Sequence, residues 1–107
     1  MFFPYKDTSL TELSGGVRRR ILANDEKMMA VEVDFDEGAV GAMHTHPHEQ
    51  ISYVISGEFL ATIDGVERKI TVGDTYYTKE NEPHGVVCLK AGKLLDIFTP
   101  RREDFLK

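Results

Sequence analysis

An all-β domain, a sandwich or barrel of short strands, is the fold the sequence predicts, and three observations predict it. Apolar and polar residues alternate over short segments. Turn-forming residues interrupt those segments at short intervals. No stretch carries a convincing helical stripe. Successive side chains of a strand point to opposite faces, so alternation marks a strand with one buried face.

Taken in order, the first element is a short helical turn over Ser9–Leu13. Strands are predicted over Val17–Ala23, Met28–Asp36, Val40–His44, Gln50–Ile55, Phe59–Ile63, Glu67–Thr71, Thr75–Thr78, Gly85–Lys90 and Lys93–Thr99. In the second strand Met29, Val31, Val33 and Phe35 alternate with Ala30, Glu32 and Asp34. Ile51, Tyr53 and Ile55 alternate with Ser52 and Val54, so both faces there are partly covered. Phe59, Ala61 and Ile63 alternate with Leu60, Thr62 and Asp64. Breaks fall at Asp36-Glu37-Gly38, Ser56-Gly57, Asp64-Gly65, Val72-Gly73-Asp74, Glu82-Pro83 and Ala91-Gly92. Asp64-Gly65 is a good two-residue hairpin, because both central positions of such a turn must accept positive φ.

Composition bounds the function. The 107 residues give room for one domain, 1–107, and not for a second. At 41% hydrophobic and 29% charged residues, the chain has the balance of a globular protein that folds without staples. The one cysteine, Cys88, excludes an internal disulfide and a Cys-rich zinc site, and reads as a small buried hydrophobe. A net charge of −5 argues against nucleic acid as a partner. No apolar run approaches the ~20 residues of a membrane span. The start, Met1-Phe2-Phe3-Pro4, is not of signal-peptide type. With one thiol, the expected compartment is the cytoplasm. Arg18-Arg19-Arg20 reads as a charged strand edge that discourages aggregation, in preference to a substrate patch.

Three of the four histidines are His44, His46 and His48; the fourth is His84. His44 and His46, two apart on a strand, present two imidazoles to one face. Gln50 follows within reach and offers a carbonyl oxygen, with Glu49 as the competing ligand. Alternation from Gln50 onward puts Glu49 on the other face. His84 must be brought in by the fold, and His48 is expected in the loop. Neutral imidazoles suit Zn, Cu, Fe or Ni.

Gly38, His44, His46, Gln50 and Gly57 together resemble the first cupin motif, with Gln50 where that family usually has Glu. Gly73, Lys79, Asn81 and His84 resemble the second, with Lys79 and Asn81 in place of the usual Pro and Gly. The resemblance implies a small jelly-roll β-barrel (a double-stranded β-helix) with one divalent ion, Zn, Ni, Fe or Mn, held in its mouth by His44, His46, Gln50 and His84. Small cupins also resemble dimer formers, so a homodimer is expected, with Phe2, Phe3 and Tyr5 available to pack on a partner.

A narrower resemblance rests on the Met1-Phe2-Phe3 start, the His44-Thr45-His46-Pro47-His48-Glu49-Gln50 segment and the closing Asp96-Ile97-Phe98-Thr99-Pro100-Arg101-Arg102. Together they resemble the KdgF family of pectin-degradation cupins. That resemblance implies conversion of 4,5-unsaturated uronate monosaccharides, a small anionic sugar substrate, to linear 5-keto-4-deoxyuronate. The matching active-site residues are Asp96, Phe98 and Arg102. Asp96 would move a proton, with a metal-bound water or Tyr53 as the next candidate. Phe98 would pack on the sugar, and Arg102, or Arg101 in its place, would grip a carboxylate. The plain alternatives are core for Phe98, an exposed carboxylate for Asp96 and a solvated charge for Arg102. An iron-dependent dioxygenase and a non-catalytic sugar-binding module are the competing functions.

Overall fold

The computed structural model describes residues 1–107. Eight strands form one antiparallel sheet: β1 (Leu10–Glu12), β2 (Val17–Asn24), β3 (Met29–Phe35), β4 (Val40–His44), β5 (Glu49–Ile63), β6 (Val66–Thr71), β7 (Thr75–Thr78) and β8 (His84–Thr99). The order is β1-β2-β3-β8-β5-β6, with β4 also pairing β8 and β7 also pairing β5. One-turn 3₁₀ helices at Tyr5–Asp7 and Glu103–Leu106 flank the sheet. The Asp64-Gly65 hairpin forms as expected, with φ of 47° and 80°.

Two expectations are corrected. Ser9–Leu13 is not helical: Leu10–Glu12 lies antiparallel to β2, with Glu12 opposite Arg18. A five-residue helix cannot repay its own nucleation, whereas pairing with an existing edge adds bonds at once. The second correction concerns Ser56-Gly57 and Ala91-Gly92, which are not turns. Each lies inside one long strand, β5 or β8, and the two strands run alongside each other with register shifts at Val54–Phe59. Gly57 has φ of +80°, and a Cβ there would sit 2.5 Å from the Lys90 carbonyl oxygen. A Cβ on Gly92 would run into the Ser56 carbonyl. The glycines therefore let two backbones touch while both strands bend.

That bend makes a barrel from one sheet. The first half of β5 and the last half of β8 pair with β7 and β3, and the other halves pair with β6 and β4. Phe35 and Phe59 meet edge to face at 5.2 Å inside a core that includes Val54, Val86, Cys88 and Leu94. Cys88 is fully buried. A second cluster, Met29, Val31 and Phe98, lies beneath Phe105 of the C-terminal 3₁₀ turn.

Candidate metal centre and active-site cavity

Cross-strand pairs build the site. His44 on β4 lies opposite His84 on β8. Gln50 and Ser52 on β5 lie opposite Phe98 and Asp96 on β8. Residues facing each other across a ladder share a face, so these pairs point to the same interior. His46 follows β4 and is tied in by its carbonyl, which accepts the Asn81 N–H at 2.8 Å. Asn81 has φ of 59°, a conformation Asn tolerates better than most residues. This is how the turn before His84 forms without the glycine usual there.

One ring nitrogen from each of His44, His46 and His84 lies within 4.8 Å of the others. The opposite nitrogens face backbone carbonyls: His44 Nδ1 meets Ala42 O at 2.8 Å, His46 Nδ1 meets His48 O at 3.1 Å and His84 Nδ1 meets Glu82 O at 2.8 Å. Donation through Nδ1 leaves each Nε2 lone pair free, the arrangement that carbonyl partners impose on metal-ligating histidines. His84 Nε2 is buried with no partner. His46 is buried, which lowers its pKa to about 4, so it is neutral at pH 7.

The amide of Gln50 adds a second test of the donor set. Ser52 Oγ gives its proton to Asp96 Oδ1 at 2.6 Å, so it accepts from Gln50 Nε2 at 2.9 Å. Gln50 Oε1 then faces His46 Nε2 at 3.0 Å. Neutral His46 has one N–H, yet both its nitrogens face oxygen acceptors. Whichever nitrogen carries the proton, one contact sets lone pair against lone pair, and a cation resolves it. The residues fit a divalent ion. Glu49 is exposed and faces away, as alternation predicted.

Asp96 is buried, and burial raises its pKa to about 6 against hydrogen bonds from Ser52 and Gln50 and the charge of Arg102. Phe98 is only 2% exposed. Its ring lies 5.7 Å from that of His46 and 5.8 Å from that of Phe105, so it is at once core and cavity wall. Arg102 stacks 4.2 Å from the Phe105 centroid, and its fork is taken by Asp104 at 3.1 and 2.9 Å. Arg101 pairs with Glu103 at 2.8 Å and does not line the cavity. His48 lies beside Phe98 at 6.3 Å between ring centroids.

A cavity of about 250 Å³ joins His44, Gln50, His84, Asp96, Phe98 and Arg102. Three further residues of the region escaped the sequence reading. Ser52, fully buried, links Gln50 to Asp96. Tyr76 lies opposite Ser52 and lines the cavity; burial and the Asp96 charge raise its phenol pKa. Arg19, expected on a charged strand edge, lines the cavity instead, and β2 lies between β1 and β3 rather than at an edge. Alternation could have found Ser52 and Arg19, since both occupy the inward positions of their strands. Tyr53 is 42% exposed on the outer face and does not belong to the site.

Fold and site together define a cupin: the family model described as Cupin domain matches residues 31–98. Pectin degradation protein KdgF of Dickeya dadantii (strain 3937) is 42% identical, over 98% of this chain and 97% of that protein. An RmlC-like cupin from Shewanella frigidimarina NCIMB 400 superposes with a TM-score of 0.94 at 41% identity, covering 97% of this chain and 94% of that one. The structure of KdgF from Halomonas sp. gives 0.92 at 37% identity, covering 98% and 97%. The chain belongs to the cupin family and, within it, to the KdgF family.

Proposed function

We propose that this protein holds one divalent ion (Zn, Ni, Fe or Mn) through His44, His46, Gln50 and His84. In that form it converts 4,5-unsaturated uronate monosaccharides, the products of pectin or alginate lyases, to linear 5-keto-4-deoxyuronate. The observation that carries the reading is the convergence of three imidazoles, each fixed through Nδ1, at a cavity that His44, His84 and the buried carboxyl of Asp96 line together. Similarity to a protein named for pectin degradation supports the substrate class.

When bound, a divalent ion supplies Lewis acidity toward substrate oxygens without changing its own redox state. The chain supplies the proton chemistry. Asp96, with its pKa raised to about 6 by burial, holds a proton part of the time near neutrality. Ser52 occupies Oδ1, which leaves Oδ2 to carry that proton. Delivery to C4 of the enol ether leaves oxocarbenium character at C5. Water adds there and returns its proton to Asp96, and the resulting hemiketal opens to the ketone. Phe98 walls the cavity against bulk water. Arg102, with its outer fork on Asp104, offers its remaining N–H groups to the substrate carboxylate.

The test is to follow loss of the conjugated C=C absorbance of unsaturated galacturonate, with NMR of the product, in air and under anaerobic conditions. Equal rates in both and a linear keto product support ring opening. Dependence on oxygen would point to a dioxygenase, and binding without conversion to a sugar-binding module.

We also propose a homodimer. On the outer face Ala30, Ile97, Ile51 and Tyr77 lie side by side across β3, β8, β5 and β7. Phe3, Met28, Ala30 and Ile97 line one adjoining depression, and Phe2 is 99% exposed. A continuous apolar sheet face of this kind favours a protein partner.

A further inference from the structure

Strand β2 carries three consecutive arginines, and alternation splits them between two environments. Arg18 and Arg20 face outward and find polar partners there, although Arg20 Nε is buried without one. Arg18 pairs with Asp36 at 2.7 Å and Asp34 at 3.4 Å. Arg20 donates to the Thr8 carbonyl and hydroxyl at 3.1 and 3.0 Å and lies over the Tyr5 ring. Arg19 lies between the inward positions of Val17, a core residue, and Ile21, which packs on the second apolar cluster. Arg19 lines the same cavity as Asp96, His44 and His84.

Its surroundings are unusual for a structural arginine. The guanidinium stacks 3.9 Å from the Phe105 centroid and engages in no ion pair or hydrogen bond within the chain. Burial lowers its pKa, and Asp104, the acidic group that opposes that effect, is already forked to Arg102. A partly desolvated cation without a counter-ion is costly to keep, and an anion entering the cavity removes that cost. Stacking on Phe105 also holds the planar fork in place before any ligand arrives, which lowers the entropy lost on binding.

We propose that Arg19 is the principal carboxylate-binding residue of the cavity and selects anionic over neutral sugars, with Arg102 as a secondary contact restrained by Asp104. The proposal rests on the uronate reading of the site. It gives the sugar a fixed orientation, its carboxylate toward β2 and Phe105 and its reacting carbons toward β8.

The test uses the metal-loaded protein and two sugars that cannot undergo the reaction, galacturonate and galactose, with binding followed by calorimetry or NMR titration. Wild type should prefer galacturonate. Arg19→Gln should weaken galacturonate binding at least tenfold and leave galactose binding unchanged. Arg19→Lys, which keeps the charge and loses the fork, should fall between the two. Arg18→Gln, on the outer face, should match wild type. On unsaturated galacturonate, Arg19→Gln should raise KM with kcat little changed. Equal galacturonate affinity in wild type and Arg19→Gln, or no preference for galacturonate in wild type, would overturn the proposal. If Arg19-dependent galacturonate binding persists while wild type converts no unsaturated uronate, the ring-opening reading fails and the carboxylate site stands. If conversion proceeds and Arg19→Gln behaves as wild type, Arg19 alone is misassigned.

Discussion

Asp96 concentrates the tension between stability and chemistry. Its carboxyl is raised from 3.8 to about 6 by burial, so keeping it ionised at neutral pH costs on the order of 3 kcal/mol. The folded state binds this proton more tightly than the unfolded chain. Its contribution to stability is therefore full below pH 4 and is lost as pH rises through about 6. His46, lowered from 6.5 to about 4, has the opposite slope and loses stability as pH falls across that range. Comparing a single substitution with wild type isolates the carboxyl. In metal-free protein, Asp96→Asn should raise Tm at pH 7.5 and lose most of that advantage at pH values near 4; equal Tm at pH 7.5 would contradict the account. The same change cannot exchange a proton, so kcat should fall by roughly 10²–10⁴-fold with KM little altered. Gln50→Glu should retain the ion, since a carboxylate is the better ligand, and should weaken binding of an anionic sugar because the site loses one positive charge. Turnover equal to wild type at low substrate would remove the charge argument.

At the scale of elements, the bend shared by β5 and β8 decides where the site residues fall. Gly57 combines φ of +80° with a Cβ position blocked by the Lys90 and Ala91 carbonyls, whereas Gly65 has the same φ and open space around it. Gly65→Ala should cost only the backbone strain, about 1–2 kcal/mol. Gly57→Ala adds a collision between two backbones and should cost clearly more, measured by denaturant titration of both variants. Equal losses would mean that the long strands separate easily. These glycines also mark the limit of what the sequence makes legible. Alternation located most strands, the Asp64-Gly65 hairpin and the shared face of Asp96 and Phe98. It could not distinguish a glycine that turns the chain from one that lets two strands touch, because both need a missing Cβ and only the partner strand tells them apart. Ser52 and Arg19 were missed for a different reason. Their inward positions were readable, yet a serine in an apolar strand and an arginine in a basic run look like filler until Asp96 and the cavity are in place. The outward turn of Tyr53 follows from the same alternation that puts Ser52 inward, whereas the inward turn of Tyr76 follows from the β5–β7 register, which no local pattern fixes.

The whole molecule sets a negative background, with a net charge of −5, around a cavity lined by Arg19, Arg102 and one carboxyl, Asp96, with Asp104 holding the fork of Arg102. The anionic sugar of the proposed reaction would thus be drawn to one corner of a surface that otherwise repels it, and raising ionic strength would weaken both effects. The apolar outer face belongs to this scale too. Sedimentation should report twice the 12.1 kDa chain mass, and Ile51→Lys, on the outer face, should shift the protein toward monomer. A wild-type monomer at high concentration would remove the dimer.

The central claim is that a divalent ion held by His44, His46, Gln50 and His84 is required for opening an unsaturated uronate. Its most direct test is the decay of the C=C absorbance of unsaturated galacturonate with purified protein, before chelation, after chelation and after return of each candidate ion, against the spontaneous rate in buffer. The account predicts decay well above the buffer rate, a fall to near that rate after chelation, and recovery with at least one of Zn, Ni, Fe or Mn. Full activity in protein shown by elemental analysis to be metal-free, or decay no faster than buffer in the loaded protein, would contradict it.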